Sequence, residues 1–132
     1  MKDKAQGNII VARELLNNGD IFYCNASIHC SYYAVLQYMK YMLAHTSKSP
    51  IAYDEQDSSC GNDSHNFILQ NVQNRITNSS NARSFAQKVR DLKNIRIVAD
   101  YRIKMIHRER GLECLQKAET CIANLKQYFG NI

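Results

Sequence analysis

The chain has 132 residues, of which 45% are hydrophobic and 22% charged, so we expect one globular domain over residues 1–132 rather than a disordered chain. One proline and five glycines are too few for an all-β protein with many tight turns, and they favour long helices. The net charge of +5 is compatible with nucleic acid or another anionic partner, although a merely soluble basic protein is the simpler interpretation.

The first two predicted helices run from about Ala5 to Asn17 and from about Ile21 to His45. Gly19 is predicted to supply a left-handed C-cap between them, and Asp20 to cap the second helix. The inward positions are Ala5, Ile9, Ala12 and Leu16 in the first helix, and Ile21, Cys24, Ile28, Tyr32, Val35, Met39 and Met42 in the second. A short first helix followed by a long second one predicts an antiparallel hairpin.

A polar connection follows at about residues 46–63, and it contains Pro50 and Gly61. Its length of about 18 residues exceeds that of most loops. This length favours a disordered segment, with mobility or a partner contact as the alternatives.

Three further helices are predicted: a short one capped by Asp63 or Ser64 that ends near Arg75, one from Ala82 to about Met105, and one from about Arg110 to Phe129. Residues 77–81 are predicted to form a polar loop. The inward positions are Phe67, Ile68 and Val72, then Phe85, Val89, Leu92, Arg96, Ala99 and Ile103, and finally Leu112, Leu115, Ala118, Ile122, Leu125 and Phe129. These elements predict an all-α, up-and-down antiparallel bundle of four to five helices.

The cysteines favour a reducing environment, since the five of them, at 24, 30, 60, 114 and 121, show neither a CxxC pair nor zinc-ligand spacing. We expect reduced thiols packed as small hydrophobes, and no metal or cofactor. No run of about 18 apolar residues occurs, and the first segment is amphipathic rather than an apolar signal core. We therefore expect a cytoplasmic protein without a membrane span.

The first candidate site is Arg96, which falls on the inward face of its helix. Asp100 lies four residues on and within salt-bridge reach, so it is the natural partner for a guanidinium that would be costly to bury alone. One interpretation is an ion pair that sets the register of the bundle. The other is an arginine in a cleft that meets a phosphate or an RNA backbone. Tyr101 could present its hydroxyl at that cleft, although a core aromatic is the favoured interpretation.

The second candidate is the pair Arg102 and His107, which could cleave RNA without a metal. Histidine would transfer protons near neutral pH, and arginine would stabilise the charged phosphorane. In a continuous helix the two side chains point about 140° apart, so they converge only if the helix bends or ends between them. Two basic surface residues are the alternative. Together with Lys104, Arg108 and Arg110, Arg102 forms a basic cluster that could follow a nucleic-acid backbone.

The third candidate is Tyr32 and Tyr33, preceded by His29. Tyr32 follows the core face of its helix, so core packing is the favoured interpretation of the tyrosines. The alternative is a His–Tyr pair that faces the Arg96 cleft. His65 follows a capping position, and we interpret it as a helix-start residue rather than a ligand.

Three segments of the chain resemble the HEPN family, the higher eukaryote and prokaryote nucleotide-binding domain. Residues 12–20, ARELLNNGD, resemble the "LL-x-x-G-x-(Y/F)" helix end of that family. Residues 31–36, SYYAVL, resemble the "(A/S)YYA" helix of a small prokaryotic branch, and residues 96–101, RIVADY, match its "R-x-x-A-D-Y" motif. His65 fits a histidine that recurs at the start of the short helix.

The resemblance implies an up-and-down helical bundle that forms a homodimer. Many family members are metal-independent ribonucleases with an Arg-x(4–6)-His motif at a composite dimer cleft, and others pair with a small nucleotidyltransferase as a toxin–antitoxin module. This chain departs from the ribonucleases because Asp100 and Tyr101 stand where their histidine is expected. Arg102 and His107 satisfy the spacing six residues later.

Two hypotheses follow for the function. The first is an RNA- or nucleotide-associated protein of a toxin–antitoxin or defence module, in which ribonuclease activity stays open. Its nucleotide or RNA cleft would hold Arg96, Asp100, Tyr101, Tyr32 and Tyr33. The second is a non-catalytic dimeric interaction module in which the Arg96–Asp100 pair is structural.

Overall fold

The computed structural model describes residues 1–18, 20–58, 63–102 and 106–132. In these ranges the chain forms six helices: α1 (Lys2–Asn17), α2 (Ile21–His45), α3 (Tyr53–Ser58), α4 (Ser64–Asn74), α5 (Ser79–Tyr101) and α6 (Arg108–Phe129). The helices pack against one another, which confirms the predicted all-α helical bundle. Within the described ranges no helix is both long and apolar enough to cross a membrane.

Helices α1 and α2 form the predicted antiparallel hairpin. The Ser27 hydroxyl donates to the Ala12 carbonyl at 2.8 Å, and the Asn8 amide donates to the Gln37 side chain at 2.8 Å, so the start of α1 lies beside the later part of α2. Asp20 caps α2 by accepting a hydrogen bond from the backbone N–H of Phe22 at 3.0 Å, as predicted. The predicted cap at Gly19 lies outside the described residues.

Helix α2 is the centre of the bundle and contacts α1, α3, α4, α5 and α6. Its buried side chains include Ile28, Tyr32, Val35, Leu36, Tyr38, Met39, Met42 and Leu43, which point in several directions around the helix. A helix that is apolar over most of its circumference is stable only when other helices cover it. The predicted bounds of α2 are confirmed, and every predicted inward residue except the partly exposed Ile21 is buried.

The connection predicted at 46–63 contains a helix, so the expectation of a disordered segment is wrong for residues 46–58. The side chain of Gln56 in α3 is 1% exposed and donates to the carbonyl of Lys40 at 3.0 Å and to that of Ile51 at 2.8 Å. These bonds satisfy buried polar groups and hold the short α3 against α2. The predicted breaker Gly61 lies outside the described residues.

The ends of α5 differ from the predicted ones. Asn78 accepts a hydrogen bond from the backbone N–H of Asn81 at 3.0 Å, so the helix begins inside the predicted loop at 77–81. It ends at Tyr101 rather than near Met105, because Arg102 has extended backbone angles. Met105 and the predicted inward residue Ile103 lie outside the described residues.

Helix α6 approaches α1 closely at Gly111, and this approach corrects one inward position. A Cβ atom at Gly111 would lie 2.7 Å from Cδ2 of Leu16. Gly111 therefore faces the core, and its neighbour Leu112, predicted to point inward, is 38% exposed. Leu115 and Leu125 are buried as predicted.

The cysteine interpretation holds for most of the thiols. Cys24, Cys114 and Cys121 are buried and unpaired, and Cys30 is partly buried. Burial raises the pKa of Cys114 to about 11 and that of Cys121 to about 12, so both remain neutral thiols that pack as small hydrophobes. Cys60 lies outside the described residues.

The core packing predicts a contrast between two phenylalanines. Phe85 is fully buried in α5, and Phe22 at the start of α2 is 72% exposed. We expect Phe85→Ala to lower the free energy of unfolding by about 3–5 kcal/mol, because it removes a buried ring and leaves a cavity. Phe22→Ala is the matched control and should change it by less than about 0.5 kcal/mol. Urea denaturation followed by circular dichroism measures both, and equal losses would contradict the arrangement of this core.

Candidate functional site

A polar group lies where the last turns of α5 meet α2 and the start of α4. Arg96 of α5 is only 6% exposed. One turn further on, the Asn25 amide of α2 donates to the Ala99 carbonyl at 3.2 Å, and its oxygen accepts from the backbone N–H of Ile106 at 3.2 Å. This side chain ties α2 to the end of α5 and so fixes the position of Arg96 against α2.

The Arg96 guanidinium is surrounded mainly by aromatic rings. Its central carbon lies 5.0 Å from the ring centre of Tyr32, 5.5 Å from that of Tyr33 and 5.9 Å from that of Tyr101. Cation–π contacts of this kind partly replace the water that the charge loses on burial. Among the described residues, however, the buried Nε of Arg96 has no hydrogen-bond partner. The guanidinium therefore keeps one unused donor, and leaving such a group buried costs about 1–3 kcal/mol.

Asp100 connects Arg96 to His29. Its Oδ2 atom lies 3.4 Å from Nη1 of Arg96 and 2.8 Å from Nδ1 of His29. An ionised carboxylate can only accept hydrogen bonds, so Nδ1 of His29 carries the proton in this contact. The predicted contact between Arg96 and Asp100 is present, but the shorter bond of the carboxylate goes to the histidine.

A hydrogen bond between Tyr32 of α2 and His65 of α4 connects α4 to this polar group. The Tyr32 hydroxyl and Nδ1 of His65 are 2.9 Å apart. Burial raises the pKa of Tyr32 to about 12, although the nearby Arg96 charge opposes this shift. Burial also lowers the pKa of His65, and the charges of Lys93 and Arg96 add to that effect. At neutral pH the pair is therefore a protonated phenol and a neutral imidazole.

The predicted cleft residues thus come together, and two histidines join them. We call the set the Arg96 cluster, and it consists of His29, Tyr32, Tyr33, His65, Arg96, Asp100 and Tyr101. The favoured interpretation of Tyr101 as a core aromatic is wrong: it is the last residue of α5 and is 73% exposed. Tyr32 is 1% exposed, so it packs in the core and also faces Arg96.

His65 is both a helix-start residue, as predicted, and a member of the cluster. It is the second residue of α4, after the cap that Asp63 forms by accepting from the backbone N–H of Asn66 at 3.2 Å. His29 lies beside two neighbours of Arg96, since its ring centre is 4.6 Å from that of Tyr33 and its Nδ1 is 2.8 Å from Oδ2 of Asp100. The His–Tyr pair at an Arg96 cleft stays a prediction. His29 stands four residues before Tyr33 in one predicted helix, and this spacing is the sequence signal for their contact.

Arg102 and His107 lie outside the Arg96 cluster. Helix α5 ends at Tyr101, just before Arg102, and His107 is the N-cap residue of α6, so the two residues do not lie within one continuous helix. His107 lines a groove of about 560 Å³ between α5 and α6 together with Val98 and Ile106. Val98 is two residues from Arg96 and therefore about 200° around the helix from it. The groove lies on a different face of α5 from the Arg96 cluster.

Part of the predicted basic cluster has partners within the chain. The Arg108 Nε donates to the Leu16 carbonyl at 3.1 Å, and Arg110 pairs with Glu113 at 3.0 Å. Lys104 lies outside the described residues. In the part of the chain that the structure describes, no three His, Cys, Asp or Glu side chains are placed to hold a metal ion.

Comparisons with family models, with curated proteins and with solved structures find no match to this chain. The resemblance to the HEPN family therefore rests on the sequence segments alone. Two of those segments, residues 31–36 and 96–101, are in contact in the fold. Arg96 of the second segment lies over the rings of Tyr32 and Tyr33 of the first. The residues that carry the resemblance are thus largely the residues of the Arg96 cluster.

The His65 environment predicts how stability depends on pH. Because the folded state lowers the pKa of His65 below the value of about 6.5 in the unfolded chain, the unfolded state binds the proton more tightly. This contribution to stability is complete above about pH 6.5 and is lost as the pH falls through the lower folded value. We expect His65→Asn, which keeps an acceptor for Tyr32, to reduce the fall in unfolding free energy between about pH 7 and pH 5.

Urea denaturation at several pH values measures this dependence. His107→Asn is the control, since His107 is exposed and lies in the other groove, and it should keep the wild-type slope. An unchanged slope in His65→Asn would show that the buried imidazole does not control this part of the pH profile.

Proposed function

We propose that the chain is a HEPN-like helical protein that binds RNA or a nucleotide, with the Arg96 cluster as its phosphate-binding site. The observation that carries the proposal is the state of Arg96: the side chain is buried, yet its Nε has no hydrogen-bond partner among the described residues. The guanidinium is held by aromatic rings rather than by a full set of acceptors, and its planar array of N–H groups suits a phosphate oxygen.

Arg75 supports this interpretation because it shows what a structural arginine looks like in the same chain. Its Nε donates to the Lys48 carbonyl at 2.8 Å, its Nη2 to the Ser49 carbonyl at 2.7 Å and its Nη1 to the Asn71 carbonyl at 2.8 Å. These bonds join α4 to the connection after α2 and use all three guanidinium nitrogens. Arg96, by contrast, is more deeply buried, and its contacts with Asp100 at 3.4 Å and with the Tyr32 side chain leave Nε without a partner among the described residues.

The polar contacts of Arg96 extend towards the surface of the protein. The exposed fraction of the side chain rises from 7% for Arg96 to 17% for Asp100 and 47% for His29. Asp100 lies closer to His29 than to Arg96, so the guanidinium charge is only partly neutralised within the cluster. A phosphate that reaches the guanidinium can therefore gain a charge-assisted hydrogen bond, which must exceed the repulsion from the Asp100 carboxylate.

The alternative function is a non-catalytic dimeric interaction module in which Arg96 and Asp100 brace the bundle. The burial of Arg96 at 6% exposure favours this candidate, because bracing needs no access from solvent. With either function, we propose that the chain forms a homodimer and that a small nucleotidyltransferase is its partner. Both proposals rest on the family resemblance.

Replacement of Arg96 separates the two functions. We expect Arg96→Met, which keeps a long apolar side chain, to weaken binding of a fluorescein-labelled single-stranded RNA by about 10–100-fold, since hydrogen bonds to charged groups contribute about 1.5–3 kcal/mol. Arg102→Met removes the same charge from an exposed position and should weaken binding by less than about threefold. Fluorescence anisotropy at one fixed salt concentration gives both values.

Circular dichroism and thermal unfolding show whether each variant is folded. Folded Arg96→Met that binds RNA as tightly as wild type would refute the phosphate site and support bracing. If Arg96→Met does not fold, Arg96→Lys provides the test, since lysine keeps the charge but lacks the planar donor array. Folded Arg96→Lys with unchanged affinity would contradict the proposed site in the same way.

RNA cleavage by Arg102 and His107 can be tested separately. Because His107 lines a groove away from the Arg96 cluster, we expect Arg102→Ala/His107→Ala to cleave a labelled RNA at the wild-type rate, within about twofold, wherever wild type cleaves. The assay contains a chelator, which suppresses metal-dependent nucleases. A preparation of Arg96→Met, purified in the same way, shows whether the cleavage comes from this protein or from a contaminant. Loss of cleavage in the double variant alone would instead establish that pair as catalytic.

A further inference from the structure

We infer that the Arg96 cluster takes unpaired nucleotides, with a base stacked on the exposed ring of Tyr101 while Arg96 binds the phosphate. The inference rests on the proposed phosphate site and names the class of ligand for it. Its basis is the position of Tyr101 at the end of α5, its exposure and its contact with the guanidinium.

Tyr101 differs from the other tyrosines around Arg96. It is 73% exposed, whereas Tyr32 is 1% exposed and Tyr33 is partly buried. An aromatic ring left mainly in water gains stabilisation when another flat apolar surface covers it. The exposed ring at this site is therefore a surface that a planar ligand can cover without disturbing the core.

The Tyr101 ring and the Arg96 charge lie close enough together for one ligand to contact both. The Tyr101 ring centre lies 5.9 Å from the guanidinium carbon of Arg96. A nucleotide separates its base from its phosphate by a single sugar, so one nucleotide can place its base on Tyr101 and its phosphate at Arg96. This arrangement gives the ligand a stacking contact and an ionic contact together, as in single-strand binding proteins.

His29 provides a second exposed ring at the same cluster. Its side chain is 47% exposed, and its ring lies against Tyr33 with 4.6 Å between the ring centres and 31° between the planes. The bond from Nδ1 to Asp100 fixes the orientation of the ring. Arg96 and Asp100 are thus accompanied by exposed rings from α2 and α5, which favours a strand of several unpaired nucleotides.

A duplex does not suit these contacts. Paired bases are already stacked on their neighbours, and the major groove of an RNA duplex is too deep and narrow for side chains to read. Tyr101 would reach a base only after that base left the stack, which costs a few kcal/mol. Single-stranded RNA avoids this cost. Stacking is also tolerant of base identity, so the cluster should bind different sequences with similar affinity.

The test compares one RNA strand with the same strand annealed to its complement, for wild type, Tyr101→Ala and Tyr101→Phe. Stacking of one base contributes about 1–3 kcal/mol, so we expect Tyr101→Ala to weaken single-strand binding by about 5–100-fold. Tyr101→Phe keeps the ring and should stay within about threefold of wild type. Wild type should bind the duplex at least about tenfold more weakly than the single strand.

The matched control is Tyr53→Ala, which makes the same change in α3, near the opposite end of α2, and should leave RNA affinity unchanged. A strand that carries 2-aminopurine gives a direct signal, because stacking on Tyr101 quenches its fluorescence in wild type and Tyr101→Phe but not in Tyr101→Ala. Tyr101 is exposed, and circular dichroism verifies that its variants are folded.

Several outcomes would overturn the inference. Base stacking is refuted if Tyr101→Ala binds the single strand as tightly as wild type, or if wild type binds strand and duplex equally well. In either case, weaker binding by Arg96→Met would still support the proposed phosphate site. Absence of RNA binding by wild type refutes both. Dissociation of a wild-type dimer into monomers by Tyr101→Ala, measured by light scattering, would show that the ring contacts a second copy and would replace the inference.

Discussion

The burial of the Arg96 guanidinium is the constraint on which the arrangement of this end of the bundle depends. Removal of such a charge from water costs several kcal/mol, and the surrounding helices must supply the compensation. Helix α2 supplies the Tyr32 and Tyr33 rings, and α5 supplies Asp100. Tyr32 in turn bonds to His65, so α4 is drawn into the same group. The position of α5 against α2 and α4 is thus coupled to a single charge.

Compensation around Arg96 relies on rings more than on hydrogen bonds. Rings stabilise a cation without holding particular N–H groups, whereas around Arg75 a carbonyl oxygen accepts a hydrogen bond from each of the three guanidinium nitrogens. An aromatic environment can therefore keep a guanidinium inside the fold and still leave a donor for a ligand. This difference distinguishes the two arginines more clearly than their charge or their burial does, and it is why the cluster is more than an intrahelical ion pair.

The sequence predicts the parts of this arrangement that depend on neighbours along the chain. The bounds of α2 follow from its periodic core residues and the Asp20 cap, and the contact of Arg96 with Asp100 follows from their spacing in one helix. Helix α3 was missed because a six-residue helix shows little periodicity and is held by the hydrogen bonds of Gln56. The exposure of Tyr101 depends on where α5 ends, which helical periodicity does not determine.

The contacts of the histidines could be anticipated less well. His29 and His65 are far apart in the sequence from Asp100 and Tyr32 respectively, so their partners depend on tertiary packing. The pair Arg102 and His107 stays a prediction, since His107 lines a groove on a different face of α5 from Arg96.

The position of the cluster also bears on its ligand. The carboxylate of Asp100 and the C-terminal end of α5 both disfavour an anion. In the proposed mode of binding, a free phosphate would gain only the contact with Arg96, whereas a nucleotide would add the stacking of its base on Tyr101, so the proposal favours nucleotides over inorganic phosphate.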